Sequence, residues 1–475
     1  MNRIVGIETE YGCLVTSEDR QGGPDVFPIR VKNHIFKTER LGAIDLHYRD
    51  YEEPPGNGGF LLNGGRLYLD MGHIEYSTPE CRTLNEILAY DRAGDHLLQA
   101  ALDKMGLSDS VFFIKNNVDH YTGATFGCHE NYLMRREAHF TPQMLSALLS
   151  FLATRQIFTG AGRVGQANPL AFEFEPSSGD SVVNFQISQR ADHIVNDIYQ
   201  WVQFNRAIIN ARDEPLADYR KYRRLHLLIG DSNMNEYTTA LKIGTTALVL
   251  DLLEEGIVPK KVGLMDAVQA TRDISRDQSG RWLVRLENGQ VRPAIEIQQA
   301  FLALVRHYCV HNEEDAWIAD QWEYVLKQLE CDPMELRDRL DWVAKKFLLQ
   351  EFIENEKLSW QDPWLHSLDL EYHNLDPRRG LYHGLVQSKV ISPILAAEAI
   401  ERASRNPPEN TRARARGFAV QQLMDQETSY IINWDSIALQ GIEPLRMDNP
   451  FYSYINEVQR LLNSRPTVRQ EPPKG

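Results

Sequence analysis

Asp70 closes a short apolar run in the segment NGGRLYLDMGHIEYSTPEC (Asn63–Cys81), and Glu75 and Glu80 follow it closely. Far upstream, GIETEYG sets Glu8 and Glu10 two residues apart. Read as a strand, that stretch sends Glu8 and Glu10 out together from the face opposite Val5 and Ile7. Carboxylates held close repel one another, so such a group calls for something positive. A hard divalent cation such as Mg²⁺ takes oxygen ligands and shares them with nucleotide phosphates; an arginine fork is the other candidate. Any one of these glutamates alone also fits a solvated strand position. Acidic residues are depleted in strands, and their recurrence in ETE and RLYLDMGHIEY favours a function.

Two further clusters carry chemistry. KNNVDHYTGATFGCHENYLM (Lys115–Met134) gathers Asn116, Asn117, Asp119, His129, Glu130 and Asn131 just after a buried strand. His129 suits a metal or phosphate contact, or a hydrogen-bonded structural role. NARDEPLADYRKYRRLHLLIGDSNMNE (Asn210–Glu236) brings together Arg212, Arg220, Lys221, Arg223, Arg224 and His226. Arginine recognises phosphate or carboxylate through two parallel bonds, whereas the interleaved Asp213, Glu214 and Asp218 would make a salt-bridged surface. GAGRVG (160–165) follows a helical pattern instead of opening one, which argues against a dinucleotide fold. The chain has no Walker loop and no GxSxG elbow, so any ATP binds by another route.

The elements that must position these residues are readable in outline. Arg3–Tyr11, the run ending at Asp70, and Val111–Lys115 read as strands. Leu84–Met105 has helical periodicity behind a Thr83 cap, and Thr141–Thr154 is a helix with Thr141 capping and Pro142 in its first turn. Thr16–Gly59 is polar and turn-rich and reads as a partly mobile loop insertion. Ala294 to Glu354 is largely helical. Residues 404–417 read as a linker, 418–463 as a small C-terminal domain with a strand at YIINWDSIAL and a helix over Tyr452–Leu462, and 464–475 as a disordered tail. Early strands that carry motifs, followed by blocks of helices, indicate an α+β fold over a regular βαβ series, with residues 1–403 as one large catalytic domain.

Composition narrows the class. The 475 residues are 43% hydrophobic and 25% charged, with a formal net charge of −15. That balance argues against nucleic-acid binding and suits a soluble enzyme whose partner presents lysines. No run approaches the roughly eighteen apolar residues of a membrane span, and the first residues lack a signal-peptide core. Five cysteines without CxxC spacing read as reduced thiols in the cytoplasm.

GIETEYG, NGGRLYLD, EYSTPEC, KNNVD, GCHENYLM, SQRADHI, INARDEPLADYRKYRRLH, LKIGTTALVLDLLEEG and INWDSI together resemble the family of the Pup ligase and the Pup deamidase/depupylase. The resemblance runs from Ile4 to about Leu462 and is weak in Thr16–Gly59 and the tail. It implies a carboxylate–amine ligase fold akin to glutamine synthetase: a curved antiparallel sheet cradling ATP and Mg²⁺ against packed helices, plus a small C-terminal domain. It places Glu8, Tyr68 and Glu75 at magnesium, Arg66, Thr78 and Trp434 at ATP, and Asp70 as the catalytic aspartate. Glu10, His129 and His226 are further candidates at the metal. An acidic tag needs a local basic groove, for which Arg190, Arg206 and Arg212 are candidates. The implied partners are a small ubiquitin-like tag, lysine-bearing target proteins and the proteasome system.

Family marks divide over activity. GRVG, FQISQRADHI, GTTALVLDLLEEG, NEKLSW, RRGLYHGL, WDSI and the Asp70–Glu75 interval resemble the deamidase/depupylase; GIETEYG, GCHENY and GDSNM resemble the ligase. On these marks the expectation is a deamidase/depupylase, hydrolysing the tag's side-chain amide or its isopeptide bond with lysine. The alternative is a ligase that makes that bond through an acyl phosphate. A catalytically silent scaffold and a small-molecule glutamate–amine ligase are remoter readings of the same fold.

Overall fold

The computed structural model describes residues 1, 3–16, 22–49, 53–120, 123–138, 140–165, 183–201, 206–426 and 429–464. Twelve strands, with three α-helices among them, precede the later helical blocks: β1 (Val5–Val15), β2 (Gly42–Ile44), β3 (Gly58–Leu61), β4 (Arg66–Asp70), β5 (His73–Ser77), β6 (Val111–Ile114), β7 (Cys128–Arg135), β8 (Arg163–Val164), β9 (Phe185–Gln186), β10 (Asn196–Tyr199), β11 (Ala207–Asn210) and β12 (Tyr222–Leu227). Ten of them form one sheet in the order β10-β11-β12-β7-β1-β5-β4-β3-β2, with β6 beside the far half of β1; β8 and β9 pair separately. All neighbours in the large sheet are antiparallel except β10 and β11. Helices pack against this sheet, so the α+β expectation holds.

Register decides which side chains share a face. Glu8 lies opposite Ser77 on β5 and His129 on β7, and Glu10 lies opposite Glu75. Tyr68 lies opposite Glu75 and Asp70 opposite His73, while His226 on β12 lies opposite Asn131. With a side-chain period of two, all of these project from one face. The alternate positions, Val5, Ile7, Leu67, Ile74, Tyr76, Cys128 and Tyr132, are buried on the other. There they meet helices α2 (Leu84–Met105), α3 (Pro142–Thr159) and α4 (Glu236–Glu254). Helices α3 and α4 are buried nearly all round, which is why their sequences show little amphipathic contrast.

The predicted caps are present. Thr83 and Glu86 form a reciprocal capping box on α2, an arrangement contributing about 1 kcal/mol. Thr141 caps α3, which continues past the expected Thr154 to Thr159 because its later residues are still buried. Glu130 points backward from β7 and meets Arg155 of α3 in a fully buried pair, completed by the Tyr132 hydroxyl.

Two regions depart from the sequence reading. The Thr16–Gly59 insertion contains a helix, α1 (Val26–Asn33), continued by a π-helical turn over His34–Thr38, and strand β2. Phe27, Val31, Ile35 and Phe36 are buried there; their helical spacing is short and flanked by turn signals. The expected linker over 404–417 is half structural: a helix begins at Ala413, and Thr411, Arg412 and Arg416 are buried. In the basic run TRARARG, Arg412 and Arg416 face inward because Glu80 neutralises them, while Arg414 stays at the surface with Glu409. Beyond it, strands Tyr430–Ile432, Ser436–Leu439 and Leu445–Arg446 and a helix over Ile455–Asn463 surround their own apolar cluster, which also takes in Ala43 and Phe60. Of the expected disordered tail, 464–475, all but Ser464 lies outside the described residues.

Burial opposes charge on Glu80, but Arg416 and Arg412 outweigh it and hold the carboxyl down to about 2. A depressed carboxyl stabilises the fold above its unfolded value and loses that contribution as pH falls through the folded one. The contribution, on the order of 3 kcal/mol, is expected to fade between about pH 4.5 and 2. Denaturant midpoints of wild type and Glu80→Gln should therefore converge as pH drops from 6 towards 3. A constant gap would contradict this.

Candidate active site

β4 and β5 are joined by a two-residue turn in which Met71 and Gly72 both have positive φ, 45° and 94°. That is the geometry of a type I′ hairpin, and it sets Asp70 at the rim of the polar face. Gly127 precedes β7; a Cβ there would lie 2.5 Å from both Glu10 Oε1 and His129 Nε2, so only glycine lets those two side chains fill the space.

On this face the ligating atoms fall into two groups. Glu8, His129 and His226 offer atoms within 4.8 Å of one another, and so do Glu10, Asp70 and Glu75. In the first group, Asn131 Nδ2 donates to Glu8 Oε1 at 3.0 Å. His129 Nδ1 and His226 Nε2 lie 3.4 Å and 3.6 Å from Glu8 Oε2. Burial works against charge on Glu8, but the adjacent His129 and His226 imidazoles keep its carboxyl well below the usual range. Burial drives His226 to about 4 against the pull of Glu8, which leaves a neutral imidazole at neutral pH. Its Nε2 is buried without a hydrogen-bond partner. A neutral imidazole with an unused nitrogen beside a carboxylate is a metal-ligand arrangement.

The second group is a concentration of negative charge. Burial, and then the charges of Glu8, Glu10 and Asp70, push Glu75 well above the ordinary carboxylate range, against the Tyr68 hydroxyl that donates to it. Arg190 and Arg206 are the cations that act on Glu10. Burial and then the neighbouring Arg206 bring Arg190 down to about 10, and its Nε has no partner. A divalent cation would relieve this repulsion, and the oxygen-rich donor set fits Mg²⁺.

Beside these groups lies a cavity lined by Glu8, Thr78, Asn131, Leu216, Arg224 and Trp434, among others. Thr78 is fixed there by exchanging hydrogen bonds with Ile7: its Oγ1 accepts from Ile7 N at 3.0 Å and its N–H donates to Ile7 O at 2.9 Å. The Trp434 ring stands edge-on to Phe60, centroids 5.0 Å apart. Two expected nucleotide contacts and one expected magnesium ligand thus share one cavity.

Other expected residues are placed differently. Arg66 is held by Asp45 and Glu53 at 3.1 Å and 2.6 Å, with its guanidinium over the Tyr68 ring. Arg212 is exposed and paired with Glu214 at 3.7 Å. Glu80, one of the acidic positions that prompted the metal reading, is neutralised by arginines. The role of Asn131 was missed, although its alternation with His129 in CHENY put both on one face.

The Pup-ligase protein family matches residues 3–438. The chain belongs to the Pup-ligase protein family. Pup–protein ligases from a Nocardioides species and from Pseudarthrobacter chlorophenolicus are 35% and 36% identical to it, each over 97% of this chain and 99% of the relative. A crystal structure of the complex between the prokaryotic ubiquitin-like protein Pup and its ligase PafA superposes with a TM-score of 0.81 at 33% identity, covering 97% of this chain and 92% of that one. The Pup ligase PafA in complex with ADP gives 0.76 at 33% identity, over 94% and 96% of the two chains.

These Pup-ligase relatives overturn the deamidase/depupylase expectation. The marks that suggested it were short segments and one spacing, Asp70 to Glu75, which the Met71–Gly72 hairpin sets. A hairpin length does not change which carboxylates meet. Among the described residues no helix is long and apolar enough to cross a membrane.

Removing Glu8 should cost the first group its only carboxylate. Glu8→Ala is expected to weaken Mg²⁺-dependent ADP binding roughly tenfold or more by calorimetry; unchanged affinity would contradict the assignment.

Proposed function

We propose that this chain is an ATP- and Mg²⁺-dependent protein ligase that joins the side-chain carboxyl of a Pup-type tag's C-terminal glutamate to a lysine of a target protein. The reading is supported by the family and, above all, by the meeting of Asp70, Glu10 and Glu75 on the sheet face from which Glu8 lines a cavity together with Thr78 and Trp434. Glu8, Tyr68 and Glu75, with His129, His226 and Glu10, would hold magnesium, which when bound offsets charge on the phosphates. Thr78, Trp434 and Arg66 would contact the nucleotide; Arg66 would then exchange Asp45 and Glu53 for phosphate.

The tag's carboxylate attacks the γ-phosphate, releasing ADP and leaving an acyl phosphate. Asp70 then takes the proton from the incoming lysine ammonium, the amine attacks the acyl carbon, and phosphate departs. Arg190 and Arg206, close enough to act on Glu10, would counter the charge of an acidic tag end. Arg212 would extend the basic groove outward. A cytoplasmic enzyme supplying tagged proteins to a proteasome fits this chemistry, with residues 1–403 as the catalytic domain and 418–463 as the C-terminal one.

The test mixes the purified chain with ATP, Mg²⁺, a lysine-bearing target and a tag ending in glutamate. Conjugate should form with ADP release. Asp70→Asn should lower the rate by about 10²–10⁴-fold with ADP affinity retained. Amide hydrolysis without conjugate, or an active Asp70→Asn, would contradict the proposal.

A further inference from the structure

Glu80 lies just past β5, after Thr78 and Pro79, and is 7% exposed. Both of its oxygens are occupied by arginines from the start of the helix Ala413–Leu423. Arg412 Nε donates to Oε1 at 2.7 Å, Arg416 Nη1 to Oε1 at 3.2 Å, and Arg416 Nη2 to Oε2. Thr411 Oγ1 adds a bond to the Glu80 carbonyl at 3.1 Å. One carboxylate therefore holds two guanidiniums that would otherwise repel each other in a buried space.

The remaining donors of those arginines reach the walls of the cavity beside Glu8. Arg416 Nη1 donates to Trp434 O at 2.9 Å and its Nε to Gly64 O at 2.9 Å. Its guanidinium stacks over the Trp434 ring at 4.6 Å and the Phe60 ring at 5.2 Å. Arg412 Nη1 donates to Leu216 O and to Met447 O, the latter at 3.1 Å. Trp434, Leu216, Thr78 and Glu80 itself all line that cavity. The indole comes from the C-terminal unit, Leu216 from the loop before β12, and Thr78 from the central sheet. Glu80 is the charge that the arginines touching the first two share, and it lies two residues past the third.

We propose that Glu80 is a positioning residue for nucleotide binding: through Arg416 it sets the Trp434 indole, and through Arg412 it sets the Leu216 wall. This rests on the reading that the cavity takes the nucleotide. A planar guanidinium held by two carboxylate oxygens presents a fixed face for the indole, and a lysine cannot reproduce that face. With Glu80 neutral, the two arginines lose their common anchor and Trp434 loses its backing. The chemistry at Asp70 lies on another strand and keeps its own supports.

The experiment measures ADP affinity by calorimetry, the KM for ATP and kcat of conjugate formation, and the ADP-induced tryptophan fluorescence change attributable to Trp434, with Trp434→Phe as the reference. Circular dichroism and melting checks confirm folding. Glu80→Gln should raise the ADP Kd and the KM for ATP about tenfold, a step of RT ln 10, with kcat within about twofold, and should abolish the Trp434 signal. Glu80→Asp should restore part of the affinity. Arg416→Lys, which retains the charge but not the fork, should weaken ADP binding and shift the Trp434 signal even if Glu80→Gln fails to fold. A folded Glu80→Gln or Arg416→Lys with wild-type Kd and an unchanged Trp434 signal would overturn the proposal. Wild-type protein that binds ADP with no change in Trp434→Phe would overturn instead the reading that the cavity holds the nucleotide, and the proposal with it.

Discussion

Electrostatic repulsion among Glu8, Glu10, Asp70 and Glu75 is the interaction on which the rest of this structure depends. Left to themselves these side chains would separate or take up protons, as the raised Glu75 begins to do. They stay together because each sits on a strand whose opposite face is locked. Val5 and Ile7 of β1, Leu67 of β4, and Ile74 and Tyr76 of β5 are buried against helices. A one-residue slip in any of these strands would exchange the apolar and acidic faces, at a cost far above that of the repulsion. The hydrophobic effect on one face thus sustains an unfavourable charge pattern on the other, one that the proposed cation would relieve.

The same logic accounts for where charges are neutralised internally. Glu130 alternates with His129 and Asn131 on β7, so it must point into the apolar layer, and Arg155 is there to receive it. Glu80, beyond the end of β5, is drawn away from the acidic face by Arg412 and Arg416. Structural and functional acids are separated by which side of the sheet, or which end of the strand, they occupy.

Much of the site was legible because a period of two is a local property. GIETEYG, RLYLD and HIEYS reveal their faces residue by residue, and the caps at Thr83 and Thr141 are equally local. What could not be read was pairing. That β7 and β12 come in beside β1, so that His129 and His226 converge on Glu8, depends on sheet order, which no short window encodes. The basic run at TRARARG looked like a solvated linker because its partner lies more than three hundred residues away in sequence. Helix α1 was hidden by the turn-rich residues on either side of it. The choice between making and breaking a bond was misread because both chemistries use the same carboxylates, and the marks relied upon lay in hairpin length and flanking segments.

The most direct test of the central claim is a crystal structure of the protein soaked with Mn²⁺ and ADP, with anomalous difference maps. The account predicts anomalous density within coordination distance of Glu75, and of Glu8 with His226, beside a nucleotide bounded by Thr78 and Trp434. Bound ADP with no cation between these carboxylates, or carboxylates turned outward to solvent, would contradict it.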